Sequence, residues 1–541
     1  MRIGLLTDSG SPAVPDGSGG WCDRLVEGLA AQHRFDRYDI GAHRTGAVPG
    51  QARGGSGGRR ARGRLTGHAR DLVTAICDPA EGAAFASGLY GLAETAREHG
   101  GALGGALRSE SVLRLLESAC RAPGARRGLH RATVPDILAF AGRLERALRP
   151  LSLPWYDEEG LGAVDLCHAV SGAGTALPGL LAKRFFGVPL LVTEYGVHLR
   201  AHHLAAASAS GGGGGDGGGG AAAGAGVPGA PLRALSAAFQ GRLAAEVYAQ
   251  AALITSCGSH GRRWQQRGGA APGVLRTVHP GAPEEEFAAV GEGGHIGDPY
   301  TLVWTGDLVP AKDLGTLLRA FARLRAEEPR ARLRLFATPV RDRDTAARLA
   351  HCEQLAARIV PAGPAGDGPV YFEERPRGSA DAYAVGGIAV LSSLDEGFPS
   401  GLVEAMLCGR ATVSTDVGAV AEVVGPTGLV VPPGDPRALA DACLALLRDP
   451  WRARRLGAAA RARALELFTA ERNLMAFRGI YLELISHSPV RREAVDEAGA
   501  PLPFSHPPEA HVPLRLGRRP PAPPAPPAPP APLPREKEPL R

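Results

Sequence analysis

Residues 388–409 read Ile388-Ala-Val-Leu-Ser-Ser-Leu-Asp-Glu-Gly-Phe-Pro-Ser-Gly-Leu-Val-Glu-Ala-Met-Leu-Cys-Gly409. The stretch opens with a short apolar run, which is typical of a strand buried on both faces of a parallel sheet. Leu402 to Leu407 has a helical pattern, and Gly409 ends it. The stretch therefore predicts a strand, a turn and a helix, with the carboxylates of Glu396 and Glu404 on either side of the turn.

The turn between the two glutamates predicts a ligand site. Glycines flank it, and backbone N–H groups at a helix N-terminus bind anions such as phosphate. Carboxylates repel phosphate but accept hydrogen bonds from hydroxyls, so the ligand that fits carries phosphate in its middle and hydroxyl-rich groups at both ends. A sugar nucleotide has that form. The structural alternative is that Glu396 caps the turn and Glu404 is a solvated helix residue.

Strand and helix patterns alternate in both halves of the chain, which predicts an α/β fold with two Rossmann-like domains. In the C-terminal half we predict strands at 301–305, 334–337, 370–372, 388–391, 412–415 and 429–431, and a helix at 437–447 capped by Asp435. In the N-terminal half we predict strands at 3–7, 164–168, 189–193, 253–256 and 275–278. A loop at 16–20 precedes a helix that places Trp21, Leu25 and Leu29 on one face.

The stretch 391–409, followed by Thr415-Asp-Val-Gly418 and Glu422, resembles the donor site of retaining family 4 glycosyltransferases. The resemblance implies the GT-B architecture, in which two Rossmann-like domains face a cleft. It divides the chain into an N-terminal domain at 1–290, a nucleotide-sugar-binding domain at 298–450 and a helical crossover at 451–488.

Three further segments look like the PelF subgroup of that family, which has a long distinctive N-terminal domain. They are Asp165-Leu-Cys-His-Ala-Val-Ser171, Thr193-Glu-Tyr-Gly-Val-His-Leu-Arg200 and Arg262-Arg-Trp264. Residues 40–154 form the matching enlargement. The resemblance to this subgroup implies a role in making a polysaccharide.

The resemblance also implies roles for individual residues. Lys312 would neutralise the charge that grows on the leaving diphosphate, Glu396 would hold hydroxyls of the donor sugar, and Glu404 would accept from the ribose. These are the expected catalytic residues. The expected donor-binding residues are Gly19, Gly20, Gly397, Phe398, Ser400, Gly401, Leu402, Val403, His168 and Tyr195. Within that set, the N–H groups of Leu402 and Val403 would aid Lys312, and Gly19 and Gly20 would face the diphosphate across the cleft.

The chain departs from the family pattern at three positions. Asp307 replaces an arginine that holds the diphosphate, and a carboxylate about 4 Å from a phosphate charge would repel it by about 4 kcal/mol at an effective dielectric near 20. Either Asp307 turns away or donor binding is weak. Tyr195 replaces a histidine, and Pro280 replaces an asparagine. These departures leave open a second function, a catalytically degenerate GT-B subunit that binds or assembles.

Other sites are disfavoured. A dinucleotide fingerprint in the first loop would need a third glycine where Cys22 stands. The pair Asp342 and Asp344 is predicted to cap a helix in preference to binding a metal. We expect neither a metal nor another cofactor. For His168, a buried structural role is as plausible as contact with the sugar, and for His198 the structural role is favoured.

Composition favours a globular protein of the cytoplasm. The 541 residues are 44% hydrophobic and 21% charged, with a net charge of +6, and the eight cysteines form no C-x-x-C pair. Arginines concentrate at 44–64 without interleaved aromatic residues, which disfavours nucleic-acid binding. A solvated loop is the default there, and contact with anionic lipid headgroups at the inner face of the membrane or with an anionic acceptor is the next choice.

The expected partners are a nucleotide sugar, with UDP-glucose as the first choice, a carbohydrate acceptor and a membrane-bound polysaccharide synthase. A glycine-rich insertion is predicted at 208–228, and a disordered proline-rich tail is predicted at 500–541.

Overall fold

The computed structural model describes residues 1–8, 17–41, 59–99, 103–157, 159–196, 229–293, 297–340, 342–360, 368–376 and 378–489. The predicted insertion at 208–228, the tail at 500–541, the loop residue Asp16 and His198 lie outside these ranges. Within them, helices and parallel strands alternate in two sheets, which confirms the α/β fold.

The first sheet has six parallel strands in the order β2-β1-β3-β4-β5-β6. Their bounds are β1 Arg2–Thr7, β2 Arg34–Asp39, β3 Leu166–Val170, β4 Leu190–Glu194, β5 Leu253–Ser256 and β6 Leu275–Thr277. Strand β2 was not predicted, because its residues are charged except for Phe35 and Tyr38 and form no apolar run. Strand β3 was predicted two residues early. Asp165 precedes the ladder, where its carboxylate accepts a hydrogen bond from the Arg2 backbone.

Ten α-helices precede residue 298 in the described ranges, and the last of them packs against helices of the second domain. They are α1 Gly17–Leu29, α2 Arg59–Cys77, α3 Ala84–His99, α4 Leu103–Leu107, α5 Glu110–Arg121, α6 Val134–Leu148, α7 Gly172–Phe186, α8 Ala230–Gln250, α9 Ser259–Arg267 and α10 Glu285–Glu292. Helices α2 to α6 fill the predicted enlargement, and their buried apolar residues share one core with α7 and α8.

Helix α1 corrects the prediction of a glycine loop before Trp21. The helix already begins at Gly17, so Gly19 and Gly20 lie in its first turn. The first four N–H groups of a helix have no partner within it, and glycine imposes no side chain on that turn. The two glycines therefore stand at a helix N-terminus, and their predicted contact with a diphosphate remains a prediction.

The second sheet is also parallel, with six strands in the order β12-β11-β10-β7-β8-β9. Their bounds are β7 Asp298–Gly306, β8 Arg332–Ala337, β9 Val370–Glu374, β10 Gly386–Leu391, β11 Ala411–Thr415 and β12 Leu429–Val431. All six predicted strands are confirmed to within a few residues at each end. Strand order reverses between β10 and β7, and ligands of open α/β sheets bind beyond the carboxyl ends of the strands at such a point.

The helices after β7 are α11 Leu314–Glu327, α12 Arg343–Ile359, α13 Ser379–Ala384, α14 Ser400–Leu407, α15 Val420–Val424, α16 Pro436–Leu447, α17 Pro450–Leu467 and α18 Ala470–His487. Asp435 caps α16 and Asp342 caps α12, as predicted, each by accepting backbone N–H bonds. The chain then returns, because α18 packs against the first sheet. Its Phe477 and Tyr481 lie in one apolar cluster with Ile3 and Leu5 of β1.

Candidate active site

The loop between β10 and α14 carries both glutamates and is held by backbone hydrogen bonds. The Leu394 N–H donates to the Ala311 carbonyl at 2.7 Å, and the Ala419 N–H donates to the Gly397 carbonyl at 3.1 Å. Gly418 has a φ of +59°, and a Cβ atom there would lie 2.1 Å from the Glu396 carbonyl oxygen. Only glycine allows that approach. The Thr415–Gly418 segment therefore fixes the backbone that presents Glu396.

Lys312 and Glu396 form an ion pair at the point where strand order reverses. Lys312 ends a short 3-10 turn after β7, and Glu396 follows β10. The Lys312 Nζ lies 2.7 and 3.1 Å from the two carboxylate oxygens of Glu396. The lysine side chain is 20% exposed and the glutamate side chain 11%. Both predicted residues therefore stand together at the expected edge.

Glu404 pairs with Arg375, a residue that the sequence analysis did not select. The Arg375 Nη2 atom lies 2.9 Å from the Glu404 Oε2 atom, with side-chain exposures of 29% and 17%. Burial raises the pKa of Glu404, while Arg375 and the Ser379 hydroxyl act in the opposite direction. The signal for Arg375 was its place directly after β9, at the same edge of the sheet.

Asp307, the predicted departure from the family pattern, is bonded to a hydroxyl. Its Oδ1 atom accepts a hydrogen bond from the Thr338 Oγ1 atom at 2.8 Å, and Thr338 directly follows β8. This contact favours the first of the two alternatives, in which Asp307 turns away from the diphosphate.

The first turn of α14 corrects the expectation for Leu402 and Val403. Their N–H groups both donate to the Pro399 carbonyl, at 3.0 and 3.2 Å, so these two donors are not free for an anion. The reason is that Pro399 precedes the helix and its carbonyl accepts the first helical bonds. Gly401 instead accepts a hydrogen bond through its carbonyl from the Tyr383 hydroxyl at 2.6 Å. The remaining predicted loop residues, Gly397, Phe398 and Ser400, lie beside Glu396 as the sequence requires.

The structure favours a buried structural role for His168 over contact with the sugar. The imidazole is fully buried, with Nδ1 at 2.8 Å from the Tyr481 hydroxyl and Nε2 at 2.7 Å from the Thr193 hydroxyl. Burial lowers the pKa of His168 to about 3, so the ring is neutral. Both ring nitrogens are engaged within the protein, and the predicted contact with the donor sugar is therefore corrected.

Tyr195 lies where the two sheets come closest. Its hydroxyl accepts a hydrogen bond from the Asn473 amide at 3.0 Å, and burial raises the pKa of the phenol. A Cβ atom on Gly397 would lie 3.4 Å from the Tyr195 carbonyl oxygen. The Tyr195 backbone therefore faces the loop that carries Glu396, while its hydroxyl is turned into the contact with α18.

Other contacts cross between the two sheet domains. The Ser259 N–H, at the start of α9, donates to the Glu422 Oε2 atom at 2.7 Å. The rings of His279 and Phe398 lie 6.1 Å apart between their centroids. Glu422 and Phe398 therefore connect the second domain to the first close to Glu396.

No cluster of three or more metal-ligating side chains occurs in the part of the chain that the structure describes. The expected independence from metal remains a prediction. Among the described helices, none is long and apolar enough to cross a membrane.

Two family descriptions match segments of the chain. Residues 299–449 match the family "Glycosyl transferases group 1", and residues 103–273 match a domain of unknown function, DUF3492. The second segment covers α4, α5 and α6 of the helical enlargement, but not α2 and α3, together with β3, β4 and β5.

The chain spans about half the length of the curated relatives that it matches. The chain is 34% identical over 197 residues to D-inositol 3-phosphate glycosyltransferase 2 of Catenulispora acidiphila, which covers 34% of this chain and 45% of that enzyme. It is 30% identical over 227 residues to the D-inositol 3-phosphate glycosyltransferase of Streptomyces bingchenggensis, which covers 40% and 49%.

Solved structures match over a greater length and show the fold. Sucrose-phosphate synthase from Thermosynechococcus elongatus is 18% identical with a TM-score of 0.54, and Anabaena HepE in complex with UDP and glucose is 14% identical with a TM-score of 0.52. Each comparison covers 90% of this chain and 100% of the other. Residues 299–449 therefore match the glycosyl transferases group 1 description, and the chain shares the GT-B fold of these solved structures.

Proposed function

We propose that this protein is a retaining glycosyltransferase that moves a sugar from a nucleotide-diphosphate donor to a carbohydrate acceptor. UDP-glucose is the proposed donor, and a polysaccharide or glycoconjugate is the proposed acceptor. The observation that carries the proposal is the gathering of Lys312, Glu396 and Glu404 at one edge of a glycosyl transferases group 1 domain. The complex of HepE with UDP and glucose supports the donor class by similarity of fold alone.

In the proposed reaction the acceptor hydroxyl attacks the anomeric carbon on the face that the diphosphate leaves. The bond from the anomeric carbon to the diphosphate oxygen breaks, a bond to the acceptor oxygen forms, and the acceptor proton passes to the leaving diphosphate. Lys312 neutralises the growing charge on that leaving group. Glu396 and Glu404 accept hydrogen bonds from hydroxyls of the sugar and ribose, so neither acts as a nucleophile, and no metal ion is required.

The setting of the reaction is part of the proposal. The PelF-like enlargement at 40–154 suggests that the acceptor is a growing polysaccharide and that a membrane-bound synthase is a partner. The proposed location is the cytoplasm, with peripheral attachment to the inner face of the membrane through the basic segment as the alternative. The domain boundaries at 290, 298, 450 and 488 belong to the same proposal.

A second function is favoured by the departures from the family pattern at Asp307, Tyr195 and Pro280. In this alternative the protein is a degenerate GT-B subunit that binds nucleotide sugar or polymer without transfer.

The experiment that separates the two functions is nucleotide release from UDP-, GDP- and ADP-glucose, with and without EDTA. Glu404→Gln is measured beside Glu373→Gln, a control that alters the Arg334 ion pair on β8 and β9. Transferase function predicts slow hydrolysis of one donor, unaffected by EDTA, retained by the control and reduced at least about tenfold in Glu404→Gln, since a charged hydrogen bond contributes about 1.5 to 3 kcal/mol.

Silence across the panel has two meanings that a thermal-shift measurement separates. Silence without any shift on adding a nucleotide sugar supports a subunit that binds polymer, and silence that persists with a shift after oligosaccharide acceptors are added supports a subunit that binds nucleotide sugar. Silence with a clear shift directs the assay to added oligosaccharide acceptors, because the donor then binds and the acceptor is missing.

A further inference from the structure

The carboxyl edge of the second sheet has an unfavourable balance of charge for a diphosphate. The side chains described above at this edge are the carboxylates of Asp307, Glu396 and Glu404 and the cations of Lys312 and Arg375. Even without Asp307, which turns towards Thr338, the carboxylates of Glu396 and Glu404 balance the two cations, so this group of side chains has no excess positive charge before an anion arrives. The N–H groups of Leu402 and Val403 are already bonded to Pro399. A diphosphate therefore needs contact with both cations.

Arg375 is fixed at its base by the sheet. Its backbone N–H donates to the Ala337 carbonyl at 2.7 Å and so continues the ladder between β9 and β8. From there the side chain reaches Glu404 on α14, which follows β10, while β7 and β8 lie between β9 and β10 in the sheet. The guanidinium therefore lies over the strand ends where a ligand of this sheet would bind.

The contact with Glu404 leaves most of the guanidinium available. An arginine has five N–H donors in a planar fork, and the contact to Glu404 uses the Nη2 atom. The arginine side chain is more exposed than the glutamate it holds. If Glu404 accepts from a ribose hydroxyl, the neighbouring guanidinium stands next to the same ribose, one sugar ring from its phosphate.

We propose that Arg375 is a nucleotide-binding residue, which contacts the diphosphate of the donor while it remains paired with Glu404. It supplies, with Lys312, the positive charge that the site needs. This inference rests on the proposed function, because it assumes that the site takes a nucleoside diphosphate.

The test is the affinity difference between a nucleoside diphosphate and its nucleoside. UDP with uridine, GDP with guanosine and ADP with adenosine are titrated by calorimetry, with each nucleoside measured by competition. The variants are Arg375→Gln and Arg375→Lys, and the matched control is Arg334→Gln, which removes the ion pair with Glu373 on the same two strands. Thermal unfolding of each variant verifies that it is folded.

We expect Arg375→Gln to weaken diphosphate binding about 10- to 100-fold and to change nucleoside binding less than about threefold, because a charged hydrogen bond is lost only for the phosphate. Arg375→Lys should fall between wild type and Arg375→Gln, because lysine keeps the charge and loses the planar fork. Arg334→Gln should retain the wild-type difference.

Two results overturn the inference. If the wild type prefers the diphosphate and Arg375→Gln keeps that preference, or weakens nucleoside and diphosphate equally, Arg375 acts only through Glu404 or on the base, and the proposed function survives. If the wild type shows no preference for any diphosphate over its nucleoside, the proposed function fails together with the inference.

Discussion

The two sheets of this protein are both parallel and six-stranded, yet one polar cluster beside each of them is built differently. In the second sheet, polar groups gather as ion pairs that are partly exposed, Lys312 with Glu396 and Arg375 with Glu404. Beside the first sheet they form a buried neutral chain, in which the His168 ring bonds the Tyr481 hydroxyl on one side and the Thr193 hydroxyl on the other. Of these two clusters, only the partly exposed ion pairs leave donors and acceptors that a ligand can reach. A polar residue near the cleft is therefore not by itself evidence for a binding site.

The buried chain in the first sheet has a structural task. It joins β3 and β4 to α18, the last helix, through hydrogen bonds and an apolar cluster that includes Trp21 and Phe477. Buried polar groups specify a single arrangement when all of them are bonded. In the first domain the polar chain thus fixes the returning helix, whereas in the second domain the ion pairs stand at the carboxyl edge of the sheet.

The largest expected effect lies in the ionic site. Lys312→Ala should reduce kcat about 100- to 1000-fold, because a positioned donor that stabilises a growing anion contributes about that factor. The measurement is sugar transfer or nucleotide release at saturating donor. The matched control is Lys183→Ala, whose ammonium bonds the Gln250 carbonyl between helices of the first domain. A Lys312→Ala variant with wild-type kcat would remove the lysine from the proposed reaction.

The next effect is expected at Asn473, which lies on α18 with Tyr481 of the buried chain, and it concerns stability and not activity. Asn473 donates to the Tyr195 hydroxyl and the His279 carbonyl and accepts from the Trp21 indole N–H. Asn473→Ala leaves those buried groups without a partner and should lower the free energy of unfolding by about 2 to 4 kcal/mol. Urea unfolding measures the loss.

The comparison between the two regions requires that Asn473→Ala keep donor affinity within about threefold of wild type. A fall in donor affinity at unchanged stability would show that the polar groups beside the first sheet also bind ligand. Their role would then not be structural alone.

Acid should act on the buried chain through His168. Its folded pKa of about 3 lies below the ordinary value of 6.5, so the unfolded state binds the proton more readily. The stability contributed by the neutral ring is complete above about pH 6.5 and is lost as the pH falls towards 3, by about 1.4 kcal/mol per pH unit once the unfolded histidine is protonated. His168→Gln should flatten the pH dependence of unfolding by that slope between about pH 6 and 4. Equal slopes in the two proteins would contradict a buried neutral histidine.

The strands of the second domain could be predicted from the sequence, because each contains a short apolar run that is too short for a helix. The same reasoning placed Glu396 and Glu404 around the turn after β10, and the family resemblance added Lys312. Arg375 was missed, since the pairing of a residue after β9 with a helix after β10 depends on a strand order in which β7 and β8 come between them. Chain order alone does not supply that neighbour.

The first domain was harder to predict for a related reason. His168 was left between two roles, because its decisive partner, Tyr481, lies 313 residues further along the chain. Strand β2 was missed because its charged and aromatic residues lack an apolar run. Local patterns reveal a strand or a cap, whereas the partner of a buried polar group is set by packing between distant segments.

The smallest expected effect concerns Asp307, which distinguishes a working ionic site from a degenerate one. Asp307→Asn keeps a side chain that can accept from the Thr338 hydroxyl and removes one negative charge from the edge. Because the carboxylate is bonded and partly solvated, its repulsion of a diphosphate should be far below the value for a direct contact. We expect donor affinity to rise about two- to fivefold, with kcat nearly unchanged, as measured by donor titration at low salt. A rise of 100-fold or more would instead show that Asp307 faces the diphosphate and opposes donor binding in the natural protein, which would favour the degenerate subunit over the transferase.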